Sequence, residues 1–265
     1  MELHYLDPNP AGHPAVLLLH GLGVNAASWT LQLAPLTEAG FRPLAVDAPG
    51  FGGSRYDGRG WKIERVAAGH AALLDRLGIA SAHVVGISMG GVIAQQFAFD
   101  FPERVGRLAL VNTFAVMKPT SINSWLYLLV RMTVIHTLGM TKQARIVARR
   151  VFPHPEQAGL RDEFMRQVEG ADPRAYRAAM RALIRYDAAT RLCGLKMPAL
   201  VVTGEYDTTV PQANQRTLAE SIPGARQVVI PGAGHAVSVD SYEAFNRELL
   251  GFLGNAASAS HLTDG

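Results

Sequence analysis

Six short apolar-rich runs recur along the 265-residue chain, at residues 15–19, 43–46, 84–87, 108–111, 199–203 and 227–230. Each is too short for a stable helix, and they run on without regular polar alternation. That is the pattern of strands covered on both faces. Between most of them lie stretches of helical period, such as residues 63–77, where Val66, Leu73, Leu74 and Leu77 share one side. Strand, helix, strand at this spacing predicts an α/β fold with a doubly wound, mostly parallel sheet.

One region breaks the alternation. Residues 118–192 contain no strand-like run, only helical patterns divided by Pro153, Pro155 and Pro173. An all-helical insertion is therefore expected between two strands. The core is then split into a first part at residues 1–117 and a second at 193–265, with a frayed Ala/Ser-rich tail from about residue 255. The insertion starts just after Asn112-Thr113, at the carboxyl end of a strand, the edge where open α/β sheets bind ligands.

Composition narrows the partners. With 48% hydrophobic and 18% charged residues the chain is too apolar to be disordered. A net charge of +3 is no nucleic-acid footprint. Residues 118–192 hold 13 Lys or Arg against 6 Asp or Glu, and the remainder holds 12 against 16. The basic excess thus belongs to the insertion and bears on what reaches the sheet edge. The lone Cys193 excludes an internal disulfide and a cysteine-based zinc site. No secretory signal is expected in the first ten residues, and residues 122–140 carry Arg131 and His136, so no transmembrane segment is expected either. A cytoplasmic protein without cofactor or metal is the expectation; oligomeric state leaves no signal.

The strongest chemical signal is Gly86-Ile87-Ser88-Met89-Gly90, at the end of one run and the start of a helical stretch. A strand-to-helix turn this sharp requires residues without bulk two before and two after the serine, and it leaves the hydroxyl exposed above the sheet. A serine hydroxyl is a weak nucleophile and needs a positioned base, itself oriented by an acid. On such a fold the chain order is serine, acid, histidine. The run at 199–203 ends in Gly204-Glu205-Tyr206-Asp207, and the last run leads into Pro231-Gly232-Ala233-Gly234-His235. Asp207 is the expected acid, with Glu205 as its rival, and His235 the expected base. The developing oxyanion would be held by the backbone N–H groups of Met89, at a helix N-terminus, and of Leu22, in His20-Gly21-Leu22-Gly23. His20 reads as a hydrogen bonder that organises this loop.

These motifs, with Asp47-Ala48-Pro49-Gly50-Phe51-Gly52-Gly53-Ser54 and Gly91, lie in an order that resembles the α/β-hydrolase superfamily over nearly the whole chain. The resemblance implies a serine hydrolase and a helical cap at the insertion. The chain departs from the family pattern at its start, where fourteen residues precede the first core strand. The usual antiparallel N-terminal pair is expected to shrink to a single strand near residues 3–6. Ser88 argues against the aspartate-nucleophile dehalogenases and epoxide hydrolases. Ala236 after His235, and Val24-Asn25 after Gly23, argue against carbon–carbon bond hydrolases, which typically carry tryptophan and Gly-Pro-Gly there.

What remains is a carboxylesterase acting on small or medium acyl esters, or a 3-oxoadipate enol-lactonase-type hydrolase, which Asn112-Thr113 would fit. A cofactor-free peroxidase, an acyltransferase and a non-catalytic binding protein rank below these. The expected partner is a small-molecule ester or lactone, not nucleic acid. Trp29, Phe114, Trp125 and Leu129 are candidates to line its pocket. Arg174, Arg177, Arg181 and Arg185 form one helical stripe, read either as a solvated face or as a cationic entrance for acidic substrates.

Overall fold

The apolar runs are strands, and two separate cores explain why they do not alternate. The computed structural model describes residues 2–117 and 122–254. The strands are β1 (Tyr5–Leu6), β2 (Ala15–Leu19), β3 (Arg42–Val46), β4 (Ala82–Ile87), β5 (Val105–Val111), β6 (Ala199–Gly204) and β7 (Arg226–Ile230). The helices are α1 (Thr30–Glu38), α2 (Ile63–Arg76), α3 (Met89–Asp100), α4 (Ile122–Thr137), α5 (Gly139–Val151), α6 (Ala158–Gly170), α7 (Pro173–Arg185), α8 (Gln212–Ser221), α9 (Val237–Asp240) and α10 (Tyr242–Gly254). The strands form one sheet in the order β1-β3-β2-β4-β5-β6-β7. Only β1 runs antiparallel, pairing Tyr5 with Val46 and Leu6 with Ala45, so the N-terminal strand region is indeed a single short strand.

Successive side chains of a strand face opposite sides of the sheet. Leu17, Leu19, Val84 and Leu110 therefore pack with Val66 and Leu74 of α2 and with Val92 and Phe97 of α3. Their neighbours Val16, Leu18, Val85 and Val111 pack on the other face with Trp29, Phe245 and Leu249. Each such buried side chain contributes about 1.5–3 kcal/mol. A polar residue on either face would forfeit this, which is why the runs are continuous.

The chain leaves β2 for β3 on one side and then crosses to β4 on the other. The direction of winding reverses between β2 and β4, and a crevice opens at their carboxyl ends. Over that edge lie α4 to α7, inserted between β5 and β6. Chain exit and return meet at a bridge between Val116 and Asp187. Pro173 begins α7, where its missing N–H costs nothing, and Asp172 caps the helix by accepting from the Arg174 amide at 2.7 Å. The Asp172 amide in turn donates to the Gly50 carbonyl at 2.8 Å, fixing the insertion to the loop after β3. The boundary expected at residue 118 and the tail expected from about 255 lie outside the described residues. No helix among the described residues is long and apolar enough to cross a membrane.

Candidate active site

Ser88 sits between β4 and α3 with φ 54° and ψ −113°, a conformation that L-residues rarely adopt. Strain of this kind costs about 1–3 kcal/mol and persists only where the surroundings impose it. Here they do. The Ser88 amide donates to the Val111 carbonyl at 2.9 Å, and the Ser88 carbonyl accepts from the Thr113 hydroxyl at 2.7 Å. A β-carbon on Gly90 would stand 1.9 Å from the Leu19 carbonyl oxygen, and one on Gly86 would stand 2.2 Å from that of Gly90. The flanking glycines are thus a steric condition for bringing α3 this close to β2.

Asp207 and His235 leave the carboxyl ends of β6 and β7 and meet. The His235 Nδ1–H donates to Asp207 Oδ2 at 2.9 Å and Oδ1 at 3.0 Å. The Asp207 side chain is fully shielded and that of His235 nearly so. A buried carboxylate needs its remaining lone pairs filled. Asp207 Oδ1 accepts from the amides of Thr209 (2.8 Å) and Val210 (2.9 Å), and Oδ2 from the Gln215 carboxamide (3.1 Å). Glu205, the rival acid, instead turns outward and accepts from the Gly232 amide at 2.8 Å. The His235 loop is held from below by Asp240, whose carboxylate accepts from the Gly234 amide at 3.0 Å. Burial pushes the Asp240 pKa up, against the opposing pull of that hydrogen bond.

The loop after β2 is built around two buried polar residues. His20 accepts at Nε2 from the Ala48 amide (2.9 Å), so its Nδ1–H donates to the Gly21 carbonyl (2.7 Å). Burial pushes its pKa below the ordinary histidine range, in keeping with this neutral tautomer. Asp47 accepts from the Ala26 amide at 2.6 Å and from the Gly53 amide at 2.8 Å. Together they fix the backbone on which Leu22 is carried. Met89 opens α3, where the first N–H groups have no acceptor within the helix.

Ser88, His235 and Leu22 all line one cavity of about 470 Å³ between the sheet edge and the inserted helices. Phe114 lines it as well. The other three pocket candidates require correction. Trp29 is fully buried below the sheet edge against Phe245, because its position suits the second core. Trp125 and Leu129 face outward from α4 at 58% and 63% exposure, while Leu128 and Arg131 of the same helix turn toward the cavity. The composition of α4 gives both faces apolar residues, so periodicity alone did not identify the inner one. The arginine stripe of α7 is likewise an outer face: none of its four members borders the cavity, and the buried side is Ala175, Tyr176, Ala179, Met180 and Leu183. The guanidinium groups that do line the cavity belong to Arg131 and Arg150, which no sequence pattern had singled out.

Comparison with known proteins agrees with this architecture. Residues 16–248 match the model of the Alpha/beta hydrolase family. The chain is 33% identical to the putative carbamate hydrolase RutD of Variovorax paradoxus, covering 97% of this chain and 98% of that protein. It is 32% identical to a 2-hydroxy-6-oxononadienedioate/2-hydroxy-6-oxononatrienedioate hydrolase of Burkholderia vietnamiensis, covering 96% and 91%. Among solved structures, the enol-lactonase from Burkholderia xenovorans LB400 superposes with a TM-score of 0.87 at 29% identity, covering 95% of this chain and 96% of that one. Sheet order, strand-end motifs and these similarities lead to one conclusion: the chain belongs to the Alpha/beta hydrolase family.

Proposed function

We propose that this hydrolase-family chain cleaves carboxylic ester bonds of small or medium acyl substrates through an acyl-enzyme on Ser88. The observation that carries the reading is the shielded Asp207–His235 pair, which shares a cavity with a serine held in strained backbone. With Nδ1–H committed to Asp207, His235 keeps its Nε2 lone pair for the Ser88 proton. Ser88 Oγ attacks the carbonyl carbon as that proton moves to Nε2. The Leu22 and Met89 amides hold the oxyanion, the latter aided by the dipole of α3. Collapse expels the alcohol, which takes the proton from His235. Water then repeats the sequence, with His235 as base, and releases the acid. The helices α4 to α7 serve as the cap, excluding bulk water from the cavity.

A second reading, lactone hydrolysis, has the support of the enol-lactonase likeness at 29% identity. The chemistry differs only in that the expelled alcohol or enol stays attached to the acyl group. A hydrolysis panel spanning acyl lengths and including an enol-lactone separates the two, with Ser88→Ala run alongside. Turnover should fall to background in Ser88→Ala, and a fluorophosphonate should label Ser88. Turnover that survives the substitution, or an adduct on another serine, would overturn the assignment.

A further inference from the structure

Two guanidinium groups in the cavity wall have no carboxylate partner among the described residues. Arg131, on α4, donates from Nη2 to the Tyr176 hydroxyl at 2.9 Å. Turned so that its carbonyl oxygen faces the guanidinium, Gln143 accepts from Arg131 Nε at 3.0 Å and Nη2 at 3.3 Å. Both partners are neutral, as is the Tyr127 phenol beside the same guanidinium. Arg150, on α5, donates from Nη2 to the Thr208 carbonyl in the acid-bearing loop, and its Nε is buried without a partner. Between the two lies Tyr127, its ring centroid 4.1 Å from the Arg150 guanidinium carbon and 5.7 Å from that of Arg131. The Tyr127 hydroxyl is buried as well. Arg131, Tyr127 and Arg150 all border the cavity that Ser88 and His235 border.

Charge normally enters an apolar wall only with a counter-charge, because desolvation is otherwise uncompensated. The one carboxylate among the described residues that lines this cavity with them, Glu163, is already bound by Arg166 at 2.5 Å and Gln167 at 2.8 Å. Tyr127 contacts both guanidinium groups, Tyr176 and Gln143 accept from Arg131, and the Thr208 carbonyl accepts from Arg150, so both are held in place without being neutralised. The Arg150 guanidinium, with its Nε unpartnered, keeps a donor edge that suits a carboxylate, to which it can donate two parallel hydrogen bonds.

We propose that Arg131 and Arg150, with Tyr127 between them, form an anion subsite that takes a carboxylate carried by the substrate. The favoured substrates are then esters or lactones bearing a free acid, selected by the two arginines of the insertion that border the cavity. The proposal rests on reading Ser88 as the nucleophile of this same cavity.

The test compares acid and neutral members of two substrate pairs. One pair carries the acid on the acyl side, nitrophenyl hydrogen adipate against its terminal amide. The other carries it on the leaving group, butyryloxybenzoate against butyryloxybenzamide. The wild-type protein should favour the acid member of one pair by about tenfold or more in kcat/KM, the scale of a charge-assisted hydrogen bond. Arg131→Gln and Arg150→Gln should each erase most of that preference, chiefly through KM, and the affected pair tells which side the carboxylate occupies. Independently of turnover, adipate titrated into Ser88→Ala should raise its Tm saturably, and Arg131→Gln in that background should abolish the shift. If Arg131→Gln does not fold, Arg150→Gln and the adipate titration decide. Equal rates within both pairs, equal losses on acid and neutral members, or no adipate shift would overturn the subsite. Failure of the Ser88 reading would look different: hydrolysis would persist in Ser88→Ala.

Discussion

Asn112 holds the main chain of His235. From the end of β5 its carboxamide nitrogen donates to the His235 carbonyl at 2.7 Å and to that of Gly234 at 2.9 Å. Its oxygen accepts from the Gly204 amide, at the end of β6, at 2.8 Å. One fully buried side chain thus ties together the strand ends that carry Asp207 and His235, and Thr113 beside it holds the Ser88 carbonyl. The dipeptide therefore does more than close a strand.

Asn112→Ala would leave two carbonyls and one amide buried without that partner. We expect a loss of about 2–4 kcal/mol in stability, from about 1–3 kcal/mol for each group left unsatisfied and partly relieved by relaxation. The rate of fluorophosphonate labelling at Ser88 should fall as well, because the base is no longer fixed. Urea unfolding with unchanged midpoint and labelling rate would refute the linking role.

Asp207→Asn should cut kcat by about four orders of magnitude, since the amide favours the wrong imidazole tautomer. Glu205→Gln should leave kcat within a few-fold, because its carboxylate only staples the Gly232 amide. Steady-state hydrolysis of a nitrophenyl ester distinguishes them, and the reverse ranking would make Glu205 the acid.

Gly90→Ala should prevent stable folding or cost more than about 4 kcal/mol, because the new methyl meets the Leu19 carbonyl rather than a flexible side chain. Gly159→Ala, in the first turn of α6 and with open space around it, should be neutral or stabilising by up to about 1 kcal/mol. Denaturant midpoints of the two variants provide the check.

Acid should destabilise the fold through its buried histidines. Burial lowers the pKa of His70 to about 4 and that of His83 to about 4, and lowers that of His20 as well. His70 donates from Nδ1 to the Val66 carbonyl at 2.7 Å, and its Nε2 is buried without a partner, so the folded protein holds it neutral. The unfolded chain protonates these rings near the ordinary histidine value of 6.5. Between that pH and about 4 the unfolded state binds more protons. The stabilisation is therefore complete above 6.5 and is lost as pH falls toward 4, at up to about 1.4 kcal/mol per pH unit for fully buried His70. His70→Gln should flatten that slope in urea titrations at pH 7 and pH 5. An unchanged slope would show that His70 is not among the groups responsible.

The sequence by itself determined which residues become strands, where the helical insertion falls, and that glycines must flank Ser88. Those features follow from local rules: side-chain alternation in a strand, proline at helix starts, and the absence of bulk where a strand turns sharply into a helix. It also set Ser88, Asp207 and His235 after the carboxyl ends of the parallel strands β4, β6 and β7, which brings them to one edge whatever the loops do. Only the tertiary structure decided which face of each inserted helix turns inward. Helical period specifies a face but not what it meets, and α4 is apolar on more than one side. Trp125 and Leu129 consequently face outward, while Tyr127 and Arg131 border the cavity. The same holds for Asn112 and Gln215, whose partners lie far away in sequence or across a loop. A buried hydrogen bond is a relation between two places in space, and a sequence names only one of them at a time.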